Sequence, residues 1–142
     1  MVVLAAVDER ANAERVVATG LDLVRRSDST LHIFHVMKES EAQKRVEQRD
    51  DYFLDTASDD ARKVAESIAE VVVDDRSNVN VSGHVGDPKD VVLDQVNRHD
   101  PSYLVVGGRK RSPVGKALLG SVLQDILLST PCPVVTVMEQ ED

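Results

Sequence analysis

The chain has 142 residues, with 25 acidic side chains against 17 lysines and arginines and a formal charge of -8. That length suits a single domain, residues 1-142, which can bury a core without metal or disulfide staples. The acidic balance argues against a nucleic-acid binder, which needs a basic surface to neutralise phosphates. No apolar run approaches the roughly 18 residues of a membrane span, so no membrane partner is expected. The opening "MVVLAAVDER" carries no basic leader, and a signal peptide is therefore not expected. Cys132 is the single cysteine, which excludes an internal disulfide framework and fits a reducing, cytoplasmic compartment. Between Pro131 and Pro133 its expected role is packing.

Residues 2-7, "VVLAAV", form a continuous apolar run closed by Asp8 and Glu9, the pattern of a strand buried on both faces. Ala13, Val16, Val17, Gly20, Leu21 and Val24 then recur at helical spacing, with Glu14, Arg15, Asp22 and Arg25 on the opposite side. "SDST" breaks that helix, and "LHIFHV", Leu31 to Val36, reads as a second strand. From Met37 to about Arg49 the chain is charged and lacks a clear period, which predicts a mobile loop that turns helical at its end. Phe53, Leu54, Ala57, Ala61, Val64, Ala65 and Ile68 restore helical spacing through about Val73.

"NVNVSGHV" alternates strictly, with Val79, Val81, Gly83 and Val85 on one side, which marks a strand buried on one face at a sheet edge. "GDPKDVVLDQV" carries a helix start signal, Asp87 as the cap and Pro88 pre-set for the first helical position. "YLVVG", Tyr103 to Gly107, is a second continuous apolar run and hence a central strand. A helix with the apolar stripe Val122, Leu123, Ile126 and Leu127 ends at Pro131, and "PVVTVM" closes the chain as the last strand. Strict alternation of strand and helix predicts an α/β fold, a parallel sheet with helices on both faces. With the first and fourth strands central and the third at an edge, the five-stranded order is 3-2-1-4-5. The winding then reverses between strands 1 and 4, and a ligand is expected where those strands end, at Asp8 and Gly107.

The stretch "GGRKRSPVGKALLGS", residues 107-121, follows the fourth strand and gathers Arg109, Lys110, Arg111 and Lys116 among four glycines. Glycines admit a ligand close to the backbone, and Gly120-Ser121 opens a helix whose first turn has free N–H groups and partial positive charge. Two readings stand: a seat for a polyphosphate, or a solvated surface turn whose glycines serve loop geometry. The position at the switch point favours the seat. The stretch is not a Walker loop, because Lys110 occupies the place of its first glycine and Ala117 follows Lys116, and no GxGxxG follows the first strand.

These residues resemble the universal stress protein family from end to end. The quoted matches are "AVD" ending the first strand, "LHIFHV", "GDP" at residues 86-88, "PCPVVTV", and the pattern G-x2-G-x9-G-(S/T), with Gly107 as its first glycine, Gly120 as its third and Ser121 as the hydroxyl residue. Lys110 stands where the second glycine belongs. Its long side chain either fills the space beside a phosphate or reaches in and neutralises it, and the flanking Arg109 and Arg111 favour the second. The resemblance implies a Rossmann-like sheet of order 3-2-1-4-5, ATP as the cofactor, alone or with Mg2+, a regulatory role in the stress response, and a homodimer formed through the last strand. It implies that Ala6, Val7 and Asp8 meet the adenosine and its ribose or metal. Val36 would face adenine through its backbone, and Val106 and Gly107 would line the opposite wall. Arg109, Lys110, Gly120, Ser121 and Val122 would hold the phosphates. The alternative is a dimeric interaction module of the same fold that takes no nucleotide.

No dedicated catalytic role is expected. Ser112, Ser121 and Cys132 lack a local base signature, and weak ATP hydrolysis stays open because bound phosphate and magnesium can give slow turnover. His32 and His35 lie three apart on a strand and face opposite sides, so they do not share a metal ion. The last strand carries no charge within "VVTVM", and an apolar edge of that kind calls for a partner strand.

Overall fold

The computed structural model describes residues 1-9, 12-25, 28-108 and 119-139. Its elements run β1 (Val2–Val7), α1 (Ala13–Arg25), β2 (Thr30–Met37), α2 (Glu39–Gln48), α3 (Leu54–Val72), β3 (Val79–Val85), α4 (Pro88–His99), β4 (Tyr103–Gly108), α5 (Ser121–Ser129) and β5 (Val134–Met138). The five strands form one sheet of order β3-β2-β1-β4-β5, and every neighbouring pair is parallel. This is the α/β architecture and strand order that the alternation of the sequence predicts.

The period of two along β1 divides the core. Val3, Ala5 and Val7 point to one face, where they meet Val16, Val17, Leu21 and Val24 of α1 and Ala65 and Ala69 of α3. Leu4 points to the other, packed with Val92 and Val96 of α4, Leu104 and Val106 of β4, and Leu123 and Ile126 of α5. Helices therefore cover both faces, and β1 is buried on each side because it sits at the sheet centre. The predicted stripe of α1 is the one buried. At α4 the Asp87 carboxylate accepts from the Asp90 amide at 3.2 Å and Pro88 takes the first turn, so the cap signal works as expected. Gly86, just before it, has φ 156°, a backbone state in which a side chain is strained.

Three expectations need correction. In α5 only Leu123 and Ile126 of the predicted stripe are buried, because a nine-residue helix turns a narrow face to the sheet and leaves Val122 and Leu127 exposed. Residues 37-49 are not chiefly a loop: Glu39–Gln48 form α2, which buries only Ala42 of its residues. Good helix formers and an acidic first turn supply the local preference, while a helix that buries one alanine leaves almost no apolar period to read. Arg45 anchors α2, donating to Asp60 of α3 and Glu41, each at 2.8 Å. Tyr52, buried between them, donates to the same Asp60 carboxylate at 2.8 Å. In α3 the buried stripe is Ala57, Ala61, Ala65 and Ala69, whereas Phe53 and Leu54 are exposed at the helix start. Small side chains at every fourth position let α3 approach the sheet closely, which larger apolar residues would prevent.

Candidate functional site

β1 pairs with β2 on one side and with β4 on the other. From β1 the chain passes into α1, which packs with α3 on one sheet face, and from β4 toward α5 on the opposite face. In an open sheet wound this way the ligand crevice is expected above the carboxyl ends of β1 and β4. Ala6 and Val106 are direct register partners at its base. Val36 of β2 belongs to the same face, half-buried like Ala6 against the cluster that contains Val106 and Leu123. Three short aliphatic side chains from three adjacent strands thus make an apolar floor. Val7 turns the other way into the α1 core, and Asp8 follows at the exposed strand end.

α5 borders this floor. Leu119 and Leu123 pack into the cluster that holds Ala6, Val36 and Val106, and Gly120 between them is the N-cap residue, extended at φ -61° and ψ 151°. Its carbonyl accepts from Gln124 N at 3.0 Å. Glycine has no side chain to cap the first turn, so the amides at Ser121 and Val122 form a donor end of the kind that receives anions. The Ser121 and Val122 side chains are exposed. Arg109 and Lys110, with Arg111 and Lys116, lie outside the described residues.

Two residues that sequence reasoning did not assign to the site make side-chain contacts at these strand ends. Asn12, buried to 6% exposure just ahead of α1, donates through Nδ2 to the Val137 carbonyl at 2.9 Å and, at a longer 3.4 Å, to the Gly108 carbonyl. A Cβ on Gly107 would stand 2.9 Å from that nitrogen and 3.0 Å from Asn12 Oδ1. Gly107 is therefore a glycine partly because Asn12 fills the space above it. Likewise, a Cβ on Gly108 would meet Leu123 at 2.7 Å on the other face. On the far side of β1, His35 Nδ1 lies 2.7 Å from the Val7 carbonyl, and because a carbonyl can only accept, that nitrogen carries the proton. A lone asparagine before a helix, and a histidine inside a strand, look in sequence like a cap and a core residue.

The remaining histidines gather elsewhere. His32 faces His99 of α4 with ring centroids 4.5 Å apart, and His84 meets Phe34 edge-on at 5.9 Å. His32 and His35 thus serve opposite faces, as their spacing predicts. Burial, then the His99 ring, lowers the His32 pKa. Burial chiefly lowers that of His84, with Arg98 and His99 adding to the effect and Asp94 opposing it. Among the described residues no group of three His, Cys, Asp or Glu is placed to hold a metal ion.

A family profile described as the universal stress protein family matches residues 1-138. Among curated proteins, a universal stress protein of Mycolicibacterium smegmatis is 47% identical over 51 residues, 36% of this chain and 39% of its own length. A universal stress protein A-like protein of Arabidopsis thaliana is 39% identical over 57 residues, 40% of this chain and 33% of its own. These alignments span about a third to two fifths of the curated relatives. Solved structures share the fold over nearly the whole chain. Universal stress protein from Archaeoglobus fulgidus has a TM-score of 0.70 at 20% identity, covering 96% of this chain and 93% of that one. UspA from Lactobacillus plantarum has a TM-score of 0.68 at 20% identity, covering 96% and 97%. A universal stress protein solved in complex with cAMP has a TM-score of 0.63 at 17% identity, covering 97% and 96%. With the profile matched almost end to end over a sheet of order 3-2-1-4-5, the chain belongs to the universal stress protein family.

Proposed function

We propose that this protein is an adenine-nucleotide-binding regulator of the stress response, taking ATP, alone or with Mg2+, in the crevice between β1 and β4. One observation carries this reading: the uncapped first turn of α5 borders the same sheet face as the apolar floor of Ala6, Val36 and Val106. A flat apolar floor suits a purine ring, and free helix-end amides suit phosphate. In this reading Ala6, Val7 and Val36 meet the base, partly through backbone groups, and Val106 and Gly107 form the facing wall. Asp8 holds ribose hydroxyls or the magnesium ion. Gly120, Ser121 and Val122 present N–H groups to the phosphates, and Arg109 and Lys110 add charge. The relative bound to cAMP supports the adenine-nucleotide class. The reading places the chain as one domain in the cytoplasm, the compartment its single cysteine suits.

Isothermal titration with Mg-ATP at low and high salt tests it. We expect saturable binding that weakens with salt, because cations beside the phosphates are screened. Ser121→Trp should abolish uptake while leaving the circular dichroism spectrum of the sheet and helices intact. No heat at millimolar nucleotide in either buffer would sink the proposal. The outcome would then favour a dimeric interaction module, a reading supported by Val122, Leu127 and Leu128, which are 40%, 39% and 87% exposed along α5.

A further inference from the structure

We infer that Asn12 is a positioning residue that holds the start of α1 against the carboxyl ends of β4 and β5, at the mouth of the crevice, and so tunes its affinity for nucleotide. The inference rests on the nucleotide reading above. Asn12 lies between Asp8, at the end of β1, and the first residue of α1, and its own carbonyl accepts from Val16 N at 3.1 Å. Its side chain crosses the point where the winding reverses and reaches β4 and β5 on the other side. The hydrogens of one NH2 group serve two carbonyls, those of Val137 and Gly108. That task requires a primary amide. A carboxylate of the same size would set oxygen against oxygen, and an aliphatic side chain would leave buried carbonyls with a lost partner.

The amide also determines what Gly107 can be. Three Asn12 side-chain atoms, Nδ2, Oδ1 and Cγ, lie 2.9 to 3.2 Å from where a Cβ on Gly107 would stand. Asn12, just ahead of α1, and the β4 strand are thus held in contact by one interlocked pair, a carboxamide on one side and a missing side chain on the other. Arg15, in the first turn of α1, adds a tether by donating to the Met138 carbonyl at 2.7 Å. A ligand with one end against Asp8 and the other toward α5 spans this contact, so a change in its width alters both ends together.

The test compares Asn12→Ala and Asn12→Asp with Asn78→Ala in Mg-ATP titrations. Asn78 makes a similar amide bond, to the Ser29 carbonyl at 3.1 Å, but at the amino ends of β2 and β3, the end of the sheet away from the crevice. We expect Asn12→Ala to weaken nucleotide binding about tenfold, because about 1.4 kcal/mol of binding free energy goes into ordering a site that Asn12 otherwise preorganises, and Asn12→Asp to weaken it more. Asn78→Ala should leave affinity unchanged even where its melting temperature falls as far. Equal affinity in wild type and Asn12→Ala would overturn the inference and leave the nucleotide reading standing. A matching loss in Asn78→Ala would overturn it as general loosening. A wild type that takes no nucleotide removes the reading and the inference together. A thermal-stability cycle checks the contact itself without ligand: Gly107→Ala should cost more with Asn12 present than in the Asn12→Ala background, and additive losses would refute the interlock.

Discussion

Gly83 has no room for a side chain. A Cβ there would overlap the Arg62 amide nitrogen of α3, with the Ala61 carbonyl carbon close behind. Backbone cannot rotate away as a side chain can, so Gly83→Ala must push α3 off β3. We expect a loss of about 3 kcal/mol, the upper end for overpacking, read as a shift of the urea midpoint. Gly20 is the contrast, since a Cβ there meets the tip of Leu31 at 2.8 Å. Leu31 can adjust, and alanine gains about 1 kcal/mol of helix propensity over glycine. Gly20→Ala should therefore cost clearly less than Gly83→Ala, and the reverse order would refute the packing argument. Gly83 is visible in the sequence only as a member of an alternating strand. What makes it a glycine is the alanine stripe of an element some twenty residues earlier.

At the scale of elements, α4 carries a pH dependence. Its His99 faces His32 of β2, while Asp94 and Arg98 act on His84 of β3. Ser82 lies 3.0 Å from His84 Nε2, and Asn80 3.4 Å from His32 Nε2. Both His32 and His84 have folded pKa values below the ordinary imidazole value, about 6.5 in an unfolded chain. Between the lowered folded values and 6.5 the unfolded state binds more protons, so stability rises with pH across that window and is lost as pH falls through it. The melting temperature should drop between pH 7 and pH 5, and His32→Gln with His84→Gln should flatten that slope. An unchanged slope in the double variant would rule out the histidine face as its source. The helix signals themselves differ in how far sequence shows them. α1 and α4 declare themselves by stripe and cap, whereas α2 depends on Arg45, Tyr52 and Asp60 meeting across two helices, a contact with no local trace.

For the whole molecule, the β5 edge is the feature that calls for a partner. Neither edge strand carries a charged residue, but β3 interposes Asn80, Ser82 and His84, whereas β5, Val134 to Met138, has only Thr136 among apolar side chains. An uncharged apolar edge invites strand pairing, and exposed Leu127 and Leu128 on the preceding α5 add apolar surface. We propose a homodimer formed through this strand. Light scattering at micromolar concentration should return twice the mass of one chain, and a monomer would refute the proposal.

Sequence alone determined the order and type of most elements, the parallel sheet, and the switch point with Gly107 on one side and Asp8 on the other. Those features follow from period, caps and the few ways a right-handed crossover can wind, all of which are local or combinatorial. Only the tertiary structure decided which apolar residues the helices bury, why Gly83 and Gly107 lack side chains, and that Asn12 bonds carbonyls of β4 and β5 while His35 bonds the Val7 carbonyl. Each of those depends on atoms far apart in the chain brought within 3 Å or so of one another, and no periodicity records such a distance.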